Sequence, residues 1–318
     1  VPDRRPTPDG VLDAAKRIAD HVTLTPLLPL DWKGRRVWIK AECLQRGGSF
    51  KLRGATSRLL RLDPAERARG VVAFSSGNHA QGVALAAQKL GMAATIVMPA
   101  DAPAVKVEGT RAAGAEIVFF DRATESREAI GARLAAERGA TLVPSFDDVD
   151  VIEGQGSVGV EIRAQLGRAP DVVAVPCGGG GLSGGIALAL GESRIVPVEP
   201  EGWDDMTRSL EGGAIVPVIE PAPPTRCDAL QTKLVSPLTF GALNAAGARG
   251  VAVSEEEVAA AMRFAFRNLR IVAEPGGSVA LAALISGKLG EVPDGAVVVV
   301  SGGNVDPALY AEILAGRD

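Results

Sequence analysis

The stretch Asp171-Val172-Val173-Ala174-Val175-Pro176-Cys177-Gly178-Gly179-Gly180-Gly181-Leu182-Ser183-Gly184-Gly185-Ile186-Ala187-Leu188-Ala189-Leu190 decides the fold class. A buried-type apolar strand ends at Pro176, a glycine turn follows, and a helix runs to Leu190. Glycines let backbone approach an anion closely, and a helix start offers free N–H donors and the positive end of its dipole. The turn therefore reads as a phosphate site. It also contains Gly179-x-Gly181-x-x-Gly184, with Glu199 twenty positions on at the end of the next strand. That pattern matches a dinucleotide fingerprint, so a nucleotide-binding module with NAD stays open at this point. No GxxxxGK[ST] is present, which disfavours a nucleotide triphosphatase.

Outward from this unit the chain alternates strand and helix. Strands are expected at 37–41, 71–74, 94–98, 116–120, 141–143, 194–198 and 297–300. Helices are expected over 8–22, 49–62, 80–90, 103–113, 125–138, 151–167, 254–269 and 276–286. Thr7 is placed to cap the first helix and Pro8 to open it, while Ser254 and Glu257 form a capping-box pattern. Residues 216–225 carry four prolines and read as loop. The expectation is an α/β protein with two domains, each a mostly parallel twisted sheet flanked by helices. Residues 1–69 and 147–318 make the large domain and 70–146 the small one. In such sheets sites lie beyond the carboxyl ends of strands, and the turns after Phe74, Pro176 and Val300 sit at such ends.

Composition narrows the function. The chain has 318 residues, 47% of them apolar, and a net charge of −4 without a long basic run. Nucleic acid and anionic membranes are disfavoured as partners. No run of ~18 apolar residues is present that could span a bilayer. Three dispersed cysteines without a CxxC pair disfavour a disulfide scaffold or zinc knuckle and suit a reducing cytoplasm. Two histidines, His21 and His79, leave little for a His-rich metal site or a Ser-His-Asp triad. His21, near the end of the first helix, reads as a surface or packing residue.

Three further stretches carry chemistry. Gly47-Gly48-Ser49-Phe50-Lys51-Leu52-Arg53-Gly54-Ala55 sets a lysine beside an aromatic ring at a loop-to-helix junction. A lysine held by ordered neighbours can form a Schiff base with an aldehyde. Ser75-Ser76-Gly77-Asn78-His79 is a polar turn whose hydroxyls and helix-start amides suit a substrate carboxylate. Asn78 can donate an amide hydrogen bond to a phenolic oxygen. Ser301 leads Ser301-Gly302-Gly303-Asn304, and a serine facing a pyridine nitrogen offers a neutral hydrogen bond.

In order and spacing, these four motifs resemble those of the pyridoxal 5′-phosphate (PLP) dependent serine/threonine dehydratase and serine racemase family, enzymes of the tryptophan-synthase-β fold type. The resemblance runs from about residue 7 to 315 and is similar to the short members without a C-terminal regulatory domain. It implies that Lys51 carries the cofactor as a Schiff base and moves the α-proton. Phe50 packs on the pyridine ring, and the amides of Gly178, Gly179, Gly180, Gly181 and Leu182 hold the phosphate. Asn78 meets the ring hydroxyl and Ser301 the ring nitrogen. Ser75, Ser76, Gly77 and His79 grip the substrate carboxylate, and Ser76 matches the second-face serine of racemases. Arg127 matches an arginine near the substrate in some relatives. Glu199 and Asp205, with the carbonyl of Trp203, match the divalent-cation loop of metal-activated members and suit Mg²⁺ or Ca²⁺. The bulky Trp203 departs from that pattern. Glu274, in Glu274-Pro275-Gly276-Gly277, matches a loop near the ring.

The activity so implied is an ammonia-lyase (dehydratase). It takes water and then ammonia from a β-hydroxy-α-amino acid such as L-serine or L-threonine, leaving a 2-oxo acid. Racemisation of serine or a related amino acid, dehydration of hydroxyaspartate, and β-replacement on an activated serine are the rival activities. A homodimer is the family expectation.

Overall fold

The computed structural model describes residues 4–75, 77–102 and 104–316. Its strands are β1 (Leu27–Trp32), β2 (Arg35–Ala41), β3 (Val71–Phe74), β4 (Ala94–Pro99), β5 (Glu116–Phe120), β6 (Thr141–Leu142), β7 (Val172–Pro176), β8 (Arg194–Pro200), β9 (Val251–Val253) and β10 (Val297–Val300). They form two sheets. One is six-stranded, in the order β1-β2-β10-β7-β8-β9, and the other four-stranded, in the order β5-β4-β3-β6. Every pairing of these strands is parallel except β1 with β2. The α/β class with helix-flanked, mainly parallel sheets is as the sequence implied.

The alternation of side chains along each strand builds a core on either face. In the large sheet Val37, Ile39, Ala174, Val196, Val198 and Val298 point to one side, against helices Glu255–Phe264 and Pro275–Ile285. Val173, Val175, Ile195, Val297 and Val299 point to the other, against helices Val149–Leu166 and Gly181–Ala189. Each fully buried Val or Ile contributes about 1.5–3 kcal/mol. Both faces are covered, so these strands read as continuous apolar runs. In the small sheet Val71, Ala73, Ile96 and Met98 pack on helix Asn78–Lys89, and Val72, Val97 and Phe120 on helix Arg127–Arg138. The first of these cores also takes in Leu52, Ala55 and Leu59 of helix Lys51–Leu60.

Several boundaries differ from expectation. The first helix is Pro8–Ile18, capped by Thr7 as read, and it tightens into a 3₁₀ turn over 19–21 instead of reaching Val22. The expected helix 254–269 is α-helical over Glu255–Phe264 and then widens to a π-helix over Ala265–Leu269. Strand β1 is not among the expected strands, because Pro29 interrupts its pattern. The proline is tolerated there because β1 is an edge strand. The hairpin to β2 turns on Lys33 and Gly34, both with positive φ (48° and 78°), the geometry a tight two-residue hairpin demands. Helices Pro64–Arg69, Asp205–Gly212, Pro237–Ala245 and Pro307–Leu314, and strand β9, are further elements beyond the sequence reading. Pro103, the expected first residue of the helix observed as Ala104–Ala112, lies outside the described residues.

Glycines set the closest helix approach. A Cβ at Gly185 would lie 2.5 Å from the Ile152 carbonyl oxygen and 2.6 Å from the Gly156 nitrogen, backbone atoms that cannot turn aside. Gly185→Ala is expected to destabilise the protein by about 1–3 kcal/mol in chemical denaturation. Gly212→Ala, where nothing lies within 4 Å, should leave the midpoint unchanged or slightly raised. Equal midpoints for the two variants would contradict this account.

Candidate active site

Four loops meet at the carboxyl ends of β3, β6, β7 and β10, and each arrives with one of the motifs or with a backbone partner for one. Lys51 is the first residue of helix Lys51–Leu60. The preceding loop is pinned to the end of β10: Phe50 N–H donates to the Ser301 carbonyl (3.1 Å), Gly303 N–H to Gly48 O (2.8 Å), and Ser49 bridges to Gly302. Two glycines with positive φ, Gly47 and Gly48, let the chain make this turn. The Lys51 amine donates to the Ser145 carbonyl at 2.8 Å and lies 5.2 Å from the Phe50 ring centre. The residue keeps some accessible surface, but its amine sits deep among protein atoms with no carboxylate of the described residues beside it. Burial lowers its pKa to about 8.

Two residues on, Arg53 anchors the same helix. Its guanidinium is fully buried and forks onto Glu42 (2.8 and 2.8 Å) and Glu161 (2.6 and 2.8 Å). Lys40 closes the network onto Glu161 (2.6 Å), the Thr25 carbonyl (2.7 Å) and Gln165 (2.9 Å). The arginine neutralises Glu42 and keeps it below the usual carboxylate range despite its burial. Strand β2, the lysine helix and helix Val149–Leu166 are thereby tied at one point.

The turn after β3 delivers Ser75, Gly77, Asn78 and His79. Ser76 lies outside the described residues. The Ser75 hydroxyl accepts from Gly77 N–H (3.1 Å). Asn78 and His79 belong to the first turn of helix Asn78–Lys89, two residues earlier than expected. His79 Nε2 meets the Val143 carbonyl at 2.9 Å, and burial with the nearby Lys51 charge depresses its pKa to about 3. It is a neutral imidazole at physiological pH and is held by backbone.

Asn78 lies at the centre of a chain of amides. Its Nδ2 donates to Glu274 Oε1 (2.5 Å), and its Oδ1 accepts from Asn304 Nδ2 (2.7 Å). Asn304 also donates to Gly47 O (2.8 Å) and Gln81 Oε1 (3.1 Å). Burial raises the Glu274 pKa to about 7, and its Oε2 has no partner among the described residues. Lys106, from helix Ala104–Ala112, is buried beside Gly77 and pairs with Asp228 across the two sheets.

The glycine turn opens helix Gly181–Ala189, with Gly180 in the left-handed region (φ 82°). Among the described residues none accepts a hydrogen bond from the amides of Gly178 or Gly179. Those of Gly181, Leu182 and Ser183 lie in the first helical turn and have no intrahelical acceptor. A Cβ on Gly179 would come within 2.3 Å of the Phe146 ring, and one on Gly180 within 2.6 Å of Met206. Loop residues 143–146 thus touch His79, Lys51 and Gly179 in turn. Nothing in the sequence of that loop marks it, beyond its place after a strand. The contacts of Gln81, Lys106 and Asp228 are likewise beyond what residue order signals.

Two expected groups lie apart from this cluster. Arg127 starts helix Arg127–Arg138, its guanidinium 5.6 Å from the Phe74 ring and 2.8 Å from Glu128. The Glu199 carboxylate takes Met206 N–H (3.0 Å), Thr207 N–H (2.8 Å) and the Thr207 hydroxyl (2.6 Å). Both oxygens of buried Asp205 have no side-chain partner. Trp203 donates its indole N–H to Pro223 O (2.9 Å). Among the described residues no three His, Cys, Asp or Glu side chains converge as a metal centre. Away from these motifs, His21 lines a cavity of about 340 Å³ with Arg46 and Lys89.

A lysine amine without a carboxylate, a glycine-built helix start with free amides, and a serine at the end of β10 fit a cofactor bearing an aldehyde, a phosphate and a ring nitrogen. The comparisons agree. Residues 18–303 match the family described as pyridoxal-phosphate dependent enzyme, and the chain belongs to that family. It is 45% identical over 314 residues to L-threo-3-hydroxyaspartate ammonia-lyase of Pseudomonas sp, covering 96% of this chain and 98% of that protein. Among solved structures, maize serine racemase superposes with a TM-score of 0.92 at 34% identity, covering 99% and 98% of the two chains. The threonine deaminase of T.th. gives 0.87 at 41% identity, covering 95% and 99%. PLP is accordingly the cofactor.

Lys51→Ala should prevent borohydride from fixing PLP to the protein and lower 2-oxo acid formation by about 10²–10⁴-fold or more. Peptide mass mapping that finds the cofactor on another lysine would refute the assignment. The Glu199–Asp205 pair makes a second test. Burial raises the Glu199 pKa to about 8 and that of Asp205 to about 7. The folded state therefore holds protons that the unfolded state releases above the ordinary carboxylate range. This contribution to stability is full below that range and is lost as pH rises toward about 8. In protein stripped of divalent cations with EDTA, Glu199→Gln should flatten the fall in melting temperature between about pH 5 and pH 8, as read by calorimetry.

Proposed function

We propose that the protein is an ammonia-lyase for β-hydroxy-α-amino acids, with 3-hydroxyaspartate as its preferred substrate and serine and threonine as weaker ones. The observation that carries this reading is the Lys51 amine, its pKa lowered to about 8 and no carboxylate beside it, next to the Ser75–His79 turn. The 45% identity to a hydroxyaspartate ammonia-lyase supports the substrate order.

Lys51 would hold PLP with Phe50 against its ring. The amides of Gly178 to Leu182 would bind the phosphate, Asn78 the phenolic oxygen and Ser301 the ring nitrogen. The bound cofactor supplies an electron sink that acidifies the substrate Cα–H. Ser75, Ser76 and the amides of Gly77 to His79 bind the α-carboxylate. His79, neutral and donating its Nε2–H to the Val143 carbonyl, shapes that turn and transfers no proton. Lys51, released as a free amine, takes the α-proton, and its lowered basicity keeps more of it unprotonated near neutral pH than an ordinary lysine. Loss of the β-hydroxyl as water and hydrolysis of the resulting enamine yield one 2-oxo acid and one ammonia. Ser301 offers a neutral hydrogen bond where a carboxylate would hold a charged pyridinium. That choice favours elimination over long-lived carbanions.

Residues 70–146 form the moving unit that shuts out water, against 1–69 and 147–318. Arg127, beside Phe74 at the start of its helix, would meet the substrate only when this unit closes. Glu199, Asp205 and the Trp203 carbonyl bind Mg²⁺ or Ca²⁺, and the lack of any side-chain partner for the Asp205 oxygens among the described residues supports this. The protein acts as a homodimer in the cytoplasm.

A panel of 3-hydroxyaspartate, L-serine and L-threonine, with keto-acid detection and chiral analysis of residual substrate, tests the reading. We expect kcat/KM for 3-hydroxyaspartate to exceed that for serine by about tenfold or more, one lost charge-assisted contact. Interconversion of L- and D-serine faster than any keto-acid release would instead make the protein a racemase.

A further inference from the structure

We infer that Glu274 is a positioning residue, whose hydrogen bond to Asn78 fixes the face of the Asn78 amide that meets the phenolic oxygen of PLP. The inference rests on the role given to Asn78 above. A carboxamide has two orientations related by a half-turn, one presenting N–H and the other C=O. Only the first can donate to a phenolate. In this protein the choice is made from both sides. Asn304 Nδ2 donates to Asn78 Oδ1 at 2.7 Å, and Glu274 Oε1 accepts from Asn78 Nδ2 at 2.5 Å. A flip would set Asn78 oxygen against a carboxyl oxygen and its N–H groups against an N–H donor. The second Nδ2 hydrogen is left for a ligand.

Glu274 is built for this use. It occupies the N-cap position of helix Pro275–Ile285, yet its side chain makes no cap to that helix and turns to Asn78. Its own amide donates to Gly302 O (3.0 Å), and its carboxyl lies over Gly302, where a Cβ would be 2.0 Å from Oε1. The glycine after Ser301 is thus the space in which Glu274 sits. The residue is 1% exposed, so water does not compete for Oε1.

The test uses apo protein with Glu274→Met, Glu274→Asp, Glu274→Gln, Asn78→Ala and the double variant Glu274→Met/Asn78→Ala. PLP affinity is read by fluorescence, and the bound cofactor by its absorbance at ~420 nm. Circular dichroism of the apo forms confirms folding. We expect Glu274→Met to weaken PLP binding by about 3–10-fold, the worth of one hydrogen bond, and to shift the absorbance as Asn78→Ala does. The double variant should be no worse than Asn78→Ala alone, because Glu274 acts through that residue. Glu274→Gln, which keeps an acceptor in place, should recover the spectrum. Glu274→Asp, which keeps the charge but withdraws the oxygen, should not, and decides the matter if Glu274→Met does not fold. Additive losses in the double variant, or failure of Glu274→Gln to recover, would overturn the inference while leaving Asn78 its role. An unchanged affinity and spectrum in Asn78→Ala would remove the role of Asn78 itself, and the inference with it.

Discussion

Arg53 and its two carboxylates are what the active site hangs on. A guanidinium with no solvent exposure is tolerable only when its donors and charge are matched, and Glu42 and Glu161 do both through four contacts of 2.6–2.8 Å. Glu42 follows strand β2, Glu161 lies on a helix behind the large sheet, and Arg53 is about one half-turn past Lys51. The network thus fixes the start of the lysine helix against the sheet. Taking away one partner would strand a buried charge, at a cost of about 3–5 kcal/mol. Replacing the whole set by apolar side chains would cost less, so its value lies in placing the lysine more than in stability.

With the helix start fixed, the remaining loops have little freedom. The Lys51 amine points to the Ser145 carbonyl, and the next residue, Phe146, packs on Gly179 at the start of the glycine turn. One short loop therefore spaces the lysine from the glycine turn. On the other side the hydrogen-bonded chain Gly47–Asn304–Asn78–Glu274 joins the lysine loop to the turn after β3. Charge is kept scarce in this space. His79 is neutral, the carboxylates of Glu199 and Asp205 stand behind the turn, and Lys106 is matched by Asp228. An amine in such surroundings loses its proton more readily than an ordinary lysine.

Much of this was legible from residue order. Apolar runs such as Val297–Val300 marked buried strands, and the glycine turn, the lysine loop and Ser301 each followed a recognisable local pattern. What escaped notice has physical reasons. Strand β1 is an edge strand that tolerates Pro29, and β9 is three residues long, too short for periodicity to register. The contacts of Ser145 and Phe146 use a carbonyl and a ring in a loop, so residue type carries no signal there. Lys106 and Asp228 are 122 positions apart, and only the folded chain brings them together. Glu274 stood beside a Pro-Gly-Gly turn that suggested a site, but its partner Asn78 lies 196 positions away.

Helix Lys51–Leu60 also serves two masters. Its Arg53 is locked into the large sheet's charge network, while Leu52, Ala55 and Leu59 are part of the oil beneath the small sheet. The plane of chain change near residue 70 and the plane of packing are therefore different surfaces. Any shift of the small sheet against the large one would be felt by the rod whose first residue is Lys51. One rod is thus shared by both sheets, so the aim of the Lys51 amine and the seating of the small sheet are set together.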